Sequence, residues 1–119
     1  MIKIHREKFH DIPVLGKVEI KDAAKRKEII DALNVSKAEG RGVAKCFYPR
    51  HGVRLVEGGR EVDHLICFEC SYLQIYLNGV LKSNEVPISR HAQPVFNKVL
   101  DEAKVPIMPE AWGQEGDGK

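Results

Sequence analysis

Val53-Arg54-Leu55-Val56-Glu57-Gly58-Gly59-Arg60-Glu61-Val62-Asp63 decides how this chain folds. Two strand-forming runs flank a Gly-Gly pair, and a two-residue hairpin loop needs residues that accept positive φ. Such a loop sets Glu57 opposite Arg60. Counting outward sets Arg54 opposite Asp63, so the register yields two opposite-charge pairs worth a few tenths of a kcal/mol each. A second hairpin signal, Asn78-Gly79, follows about twenty residues later. The two turns divide this part of the chain into strands over 43–57, 61–77 and 80–86. The middle strand is long, with a bend expected near Glu69.

Working outward, Asp22 suits a helix N-cap, and Ala23, Ala24, Ile30 and Leu33 follow at helical spacing, with Ile29 widening the stripe. This predicts a helix over 22–38, stopped by Gly40. Downstream, Pro94 fits a first helical turn, and Val95, Phe96, Val99, Leu100 and Ala103 form an apolar stripe over 94–104. Pro13–Ile20 reads as a strand broken at Gly16, and Ile2 and Ile4 as a short edge strand. The expected fold is α+β: an antiparallel β-meander with two helices packed on one face, in the order β-α-β-β-β-α. Ile30, Leu33, Phe96, Val99 and Leu100 are the expected core contacts with the sheet. Residues 1–109 are expected to form a single domain, and 110–119 a disordered tail.

The totals narrow the function classes. The 119 residues are 43% hydrophobic and 30% charged, with a net charge of +2. That balance carries no electrostatic footprint for nucleic acid. The longest apolar runs fall far short of a membrane span. Gly40-Arg41-Gly42 leads from helix to strand, the wrong order for a phosphate loop.

The densest chemistry lies in Cys46-Phe47-Tyr48-Pro49-Arg50-His51-Gly52-Val53-Arg54 and Cys67-Phe68-Glu69-Cys70, which hold all three cysteines. Pro49 cannot donate to a ladder, so the strand should bulge there. One extra residue at that bulge brings Cys46 opposite Cys70, near disulfide distance. Without it, Cys46 faces Ser71. Cys67 and Cys70 point to opposite faces of a regular strand. Three readings stay open: small buried residues, a Cys46–Cys70 bridge, and a zinc site of Cys46, His51, Cys67 and Cys70. A nucleophilic pair of Cys46 or Cys67 with His51 or His64 lacks a helix N-terminus to lower the thiol pKa. Arg50, His51 and Arg54 are the candidate binding residues. They suit a carboxylate or other small anion, unless Arg54 simply pairs with Asp63 and Arg50 with Glu69. His64 and His91 are read as structural or exposed.

The two cysteine-bearing motifs, with Val14-Leu15-Gly16 ahead of the first helix, resemble a family of small uncharacterised bacterial proteins, some with lipoprotein-type leaders. The resemblance spans roughly residues 11–107. It implies no activity. It implies an extracytoplasmic domain that has lost its leader, and it favours a disulfide. Taken as written, the chain reads as cytoplasmic.

Small size and a sheet with one free face point to a non-catalytic binding module, immunity- or inhibitor-like, whose partner is a protein or small anionic ligand and which needs no cofactor. The alternative is a metal- or thiol-dependent protein built on Cys46, Cys67, Cys70 and His51, with zinc as its cofactor.

Overall fold

The computed structural model describes residues 8–10, 12–13, 17–43, 47 and 49–106. A two-stranded ribbon, β1 (Lys8–Phe9) with β2 (Ile12–Pro13), precedes helix α1 (Ala23–Glu39). Four strands follow: β3 (His51–Glu57), β4 (Arg60–Cys67), β5 (Tyr72–Leu77) and β6 (Val80–Pro87). Helix α2 (Gln93–Glu102) comes last. The sheet order is β3-β4-β5-β6, antiparallel throughout, so the α+β meander holds.

Both expected hairpins form with the expected chemistry. Gly58 and Gly59 take φ of 54° and 80°, and Asn78 and Gly79 take 49° and 85°. These are the positive values that match a tight loop to the right-handed twist of its strands. Glu57 pairs with Arg60, and Arg54 with Asp63. Asn78 Oδ1 accepts from the Glu61 N–H, and the Glu61 carbonyl accepts from the Asn78 N–H, each at 2.8 Å. The two turns are thereby tied together at one end of the sheet.

The strand expected over 61–77 is instead two strands, β4 and β5, joined by a tight turn at Phe68–Ser71. The Ser71 N–H donates to the Phe68 carbonyl at 3.2 Å, and Ser71 takes φ of 67°. The meander therefore has four strands rather than three. The strand expected over Pro13–Ile20 is also corrected: among the described residues of this stretch Ile12–Pro13 is strand and residues 17–20 lie outside strands. Val43, Phe47, Pro49 and Arg50 are likewise outside strands. Pro49 thus precedes β3 and does not interrupt it. The expected edge strand at Ile2 and Ile4 and the tail at 110–119 lie outside the described residues.

Strand alternation sorts the sheet into two faces. The row His51–Ile66–Leu73–Val86 and the row Val53–His64–Ile75–Ser83 lie on one face. Both helices cover it: Ile29, Ala32 and Leu33 of α1 and Phe96 of α2 pack with Ile66, Phe68, Leu73, Ile88 and Ala92. Leu33 and Phe96 are core as expected, and Val99 packs partly buried against them. Ile30 is corrected to Ile29, since Ile30 is 37% exposed and Ile29 only 8%. Leu100 is half-buried and outside the core cluster. The Ser36 hydroxyl accepts from the Ala92 N–H at 2.8 Å, and the Ser36 carbonyl from Ser89 at 2.9 Å, which ties α1 to the start of α2.

Asp22 occupies the N-cap position of α1 without a side-chain cap bond. Gly40 follows the helix with φ of −65°, so it supplies no left-handed cap. Its role is a close approach: a Cβ there would collide with the Pro87 carbonyl at the end of β6.

Candidate functional site

Strand β4 carries two buried titratable side chains in succession, Asp63 and His64, 1% and 3% exposed. The period of two sends them to opposite faces. On the face away from the helices, Arg54 Nε and an Arg54 terminal nitrogen donate to the two Asp63 oxygens at 2.8 and 2.9 Å. His10 Nε2 donates to Asp63 Oδ2 at 2.8 Å, and its ring stacks on Tyr76, the residue opposite Asp63 on β5, with centroids 3.6 Å apart. Phe9 lies 5.4 Å from the Arg54 guanidinium carbon, within cation–π range. Phe9 also fills the space over Gly52, where a Cβ would come within 2.8 Å of the ring. Burial alone would raise the Asp63 pKa. The hydrogen bonds and charges of Arg54 and His10 outweigh it, and the carboxyl titrates below the ordinary aspartate value.

On the helix face, Lys37 in the last turn of α1 places Nζ 3.0 Å from His64 Nε2. Burial, then the Lys37 charge, push the His64 pKa down to about 4 against a partial opposing pull from Asp63. Neutral His64 therefore accepts from Lys37 through Nε2 and carries its proton on Nδ1, an atom with no hydrogen-bond partner among the described residues. Burial also lowers the Lys37 pKa.

The residues singled out in the sequence do not share a surface. His51 lies on the helix face, 6% exposed, and its Nε2 donates to Asn97 Oδ1 of α2 at 2.6 Å. Phe68 and Phe96 meet its ring edge to face, at 5.1 and 6.0 Å. Arg54, three residues on, lies on the other face. Arg50 sits just ahead of β3 with its side chain 10% exposed, 3.5 Å from Glu69, itself 4% exposed. The expected anion-binding surface of Arg50, His51 and Arg54 is therefore corrected. Arg50 and His51 are turned inward, and the ion pairs Arg54–Asp63 and Arg50–Glu69 both form.

The cysteine expectation is corrected as well. Cys70 is bridged to Cys67, with Cα atoms 5.1 Å apart, and not to Cys46. The turn after Cys67 abolishes the regular alternation that would have separated the two side chains. The Cys70 N–H donates to Cys67 Sγ at 3.2 Å, and the bridge packs with Phe47 and Tyr72, whose rings stack at 4.7 Å. Cys46 lies outside the described residues. The zinc set of Cys46, His51, Cys67 and Cys70 does not come together as drawn: Cys67 and Cys70 are oxidised, and His51 and Cys67 lie on opposite faces of the sheet. No group of three or more His, Cys, Asp or Glu suited to a metal ion occurs among the described residues, nor does any helix there have the length and apolarity to cross a membrane.

His10, Lys37 and Asn97 gave no sequence signal, since each acts through a partner far along the chain. Asp63 was visible only as half of a hairpin charge pair. No protein-family model, curated protein or solved structure matches the chain.

Proposed function

We propose that this chain is a small non-catalytic binding module, of the immunity or inhibitor kind, that engages a protein partner through the hairpin end of its sheet. One observation carries the reading. Beyond the helices, the row Leu55–Val62–Leu77–Val80 crosses all four strands with its apolar side chains half-buried or exposed. Val56 and Leu81 are exposed on the opposite face of the same end. Val56, Val80 and Leu81 are 69%, 57% and 42% exposed. A depression of about 200 Å³ opens among Leu55, Glu57, Arg60 and Val62. Apolar side chains gathered at one end with a charged rim have the composition of a contact surface. The histidines, aspartate and cysteines of the interior are engaged in internal contacts that position strands, which supports a binding role over a catalytic one.

The test uses the double variant Val56→Asp/Val80→Asp beside the wild-type chain. Each serves as bait in an extract of the source cell, and any protein held by the wild type is purified and titrated against both by calorimetry. The expected result is at least a tenfold loss of affinity with an unchanged melting temperature. Equal affinity for both overturns the reading.

The Cys67–Cys70 bridge favours a second reading, the thiol-dependent one. Its test is a thiol count on native protein with and without a dithiol reductant, coupled to partner binding. Binding that is indifferent to the redox state overturns it.

A further inference from the structure

The Lys37–His64 contact has a chemical consequence separate from partner binding. Lys37 is half-buried, makes no ion pair among the described residues, and has as its hydrogen-bond partner a fully buried imidazole that is neutral at physiological pH. Two other lysines of α1 are placed differently. Lys27 is held by Asp31 at 2.6 Å and Lys25 by Glu102 at 3.4 Å, both on the solvated surface. An ammonium is stabilised by a counter-charge and by water, and Lys37 is short of both. The last turn of α1 works the other way, since the carbonyl end of a helix favours a cation. The net direction at Lys37 is nevertheless downward, with burial as the cause. Among the described residues the charged groups acting on the pair are Lys37 itself from α1 and Asp63 from β4, which acts on His64 through the sheet.

We propose that Lys37 is the preferred acyl acceptor among the described lysines, with His64 holding the amine in place, and that its substrates are small activated acyl groups of the thioester class. His64 Nε2 accepts one N–H of Lys37 and fixes the direction of Nζ, while the Lys37 residue is only half-buried. The neutral amine attacks the thioester carbonyl, the C–N bond forms and the C–S bond breaks. The thiolate leaves with the electron pair and takes up the proton that the amine loses. The products are an amide on Lys37 and a free thiol, with no change of oxidation state. Acylation also takes away the Lys37 charge that acts on His64. The site is thus a modification point at the junction of α1 with the sheet.

The experiment treats the intact, folded chain near neutral pH with a limiting amount of a small acetyl thioester and follows each lysine by peptide mass spectrometry. Lys37 is expected to be acetylated several-fold faster than Lys25, Lys27 and Lys82. His64→Gln keeps a neutral hydrogen-bonding partner and should keep the preference. His64→Glu supplies a counter-charge and should abolish it. Equal or slower reaction at Lys37 in the wild type overturns the proposal, as does a His64→Glu chain that reacts like the wild type. Should His64→Glu fail to fold, the wild type in denaturant takes its place. There the preference must vanish, and a preference that persists is a property of local sequence and overturns the site. The result is independent of partner binding, so this proposal and the binding-module reading fail separately.

Discussion

Asp63 and His64 are neighbours in β4, both almost fully buried, and they respond to acid in opposite surroundings: Asp63 is held by Arg54 and His10 on one face of the sheet, His64 by Lys37 on the other. The two titrate in separate windows. His64 has a folded pKa of about 4 against an ordinary 6.5. The folded chain resists the proton that the unfolded chain accepts, so stability falls as pH drops from about 6.5 towards 4. At about 1.4 kcal/mol per pKa unit, the loss is on the order of 3 kcal/mol. His64→Gln should flatten this part of a melting-temperature profile. A wild-type profile that is flat between pH 7 and 4.5 contradicts the buried neutral ring.

Asp63 works below that window. Its folded pKa is depressed, so its contribution is complete above the unfolded aspartate value of about 4 and is lost as pH falls through the folded one. Asp63→Asn leaves the Arg54 guanidinium facing an amide in a buried site. Removing one partner of a fully buried pair costs about 3–5 kcal/mol. The Arg54 side chain is half exposed, so the lower figure of about 2–3 kcal/mol is expected. Denaturant midpoints at pH 7 check the magnitude, and the variant should also lose the acid limb of the profile.

The disulfide assignment makes a chemical prediction. Denatured but unreduced protein should take up one equivalent of alkylating reagent, at Cys46. Reduction should release Cys67 and Cys70. A Cys46–Cys70 bridge would instead leave Cys67 as the labelled residue. Because the closed loop is very short, the Cys67→Ala/Cys70→Ala chain should lose only about 1–3 kcal/mol, measured as a shift in urea midpoint.

The hairpins and both helices were legible because they rest on local chemistry. Gly58-Gly59 and Asn78-Gly79 accept positive φ, and their register follows by counting. The turn at Phe68–Ser71 was not legible, since it contains no glycine, proline or asparagine. It is held by the Cys67–Cys70 bridge and by Ser71 in a conformation that serine seldom adopts. A regular strand through 61–77 sets Cys46 near Cys70, whereas the turn brings Cys70 back to Cys67. His51 and Arg54 are close in sequence, yet three residues on a strand is an odd step and separates them across the sheet. Lys37 and His64, 27 positions apart, meet only through the packing of α1 on β4.

The choice between Ile29 and Ile30 shows the limit of helical periodicity. Both fit an apolar stripe, and only the helix's rotation on the sheet selects one. Ile29→Ala should cost about 2–5 kcal/mol as a core truncation. Ile30→Ala should cost under about 1 kcal/mol. Thermal melts of the two variants measured side by side settle the rotation of α1, and equal losses would contradict it.

Gly40 and Gly42 differ in what an added side chain would meet. Gly40 lies where the end of α1 meets the end of β6, and a Cβ there would run into the Pro87 carbonyl and the backbone of Ile88. These are main-chain atoms fixed by the Ile88 N–H bond to the Ser71 carbonyl at 2.9 Å, so they cannot swing aside as a flexible side chain would. Gly40→Ala must push α1 away from the sheet edge or distort β6. The expected cost is about 1–3 kcal/mol, as for overpacking in a core. Gly42 is two residues further, has nothing within 4 Å of its Cβ direction, and is not at positive φ. Gly42→Ala narrows only the unfolded ensemble and should be neutral or stabilising by up to about 1 kcal/mol. Equilibrium denaturation of the pair separates close approach from chain flexibility: a harmless Gly40→Ala would mean that α1 does not dock against Pro87.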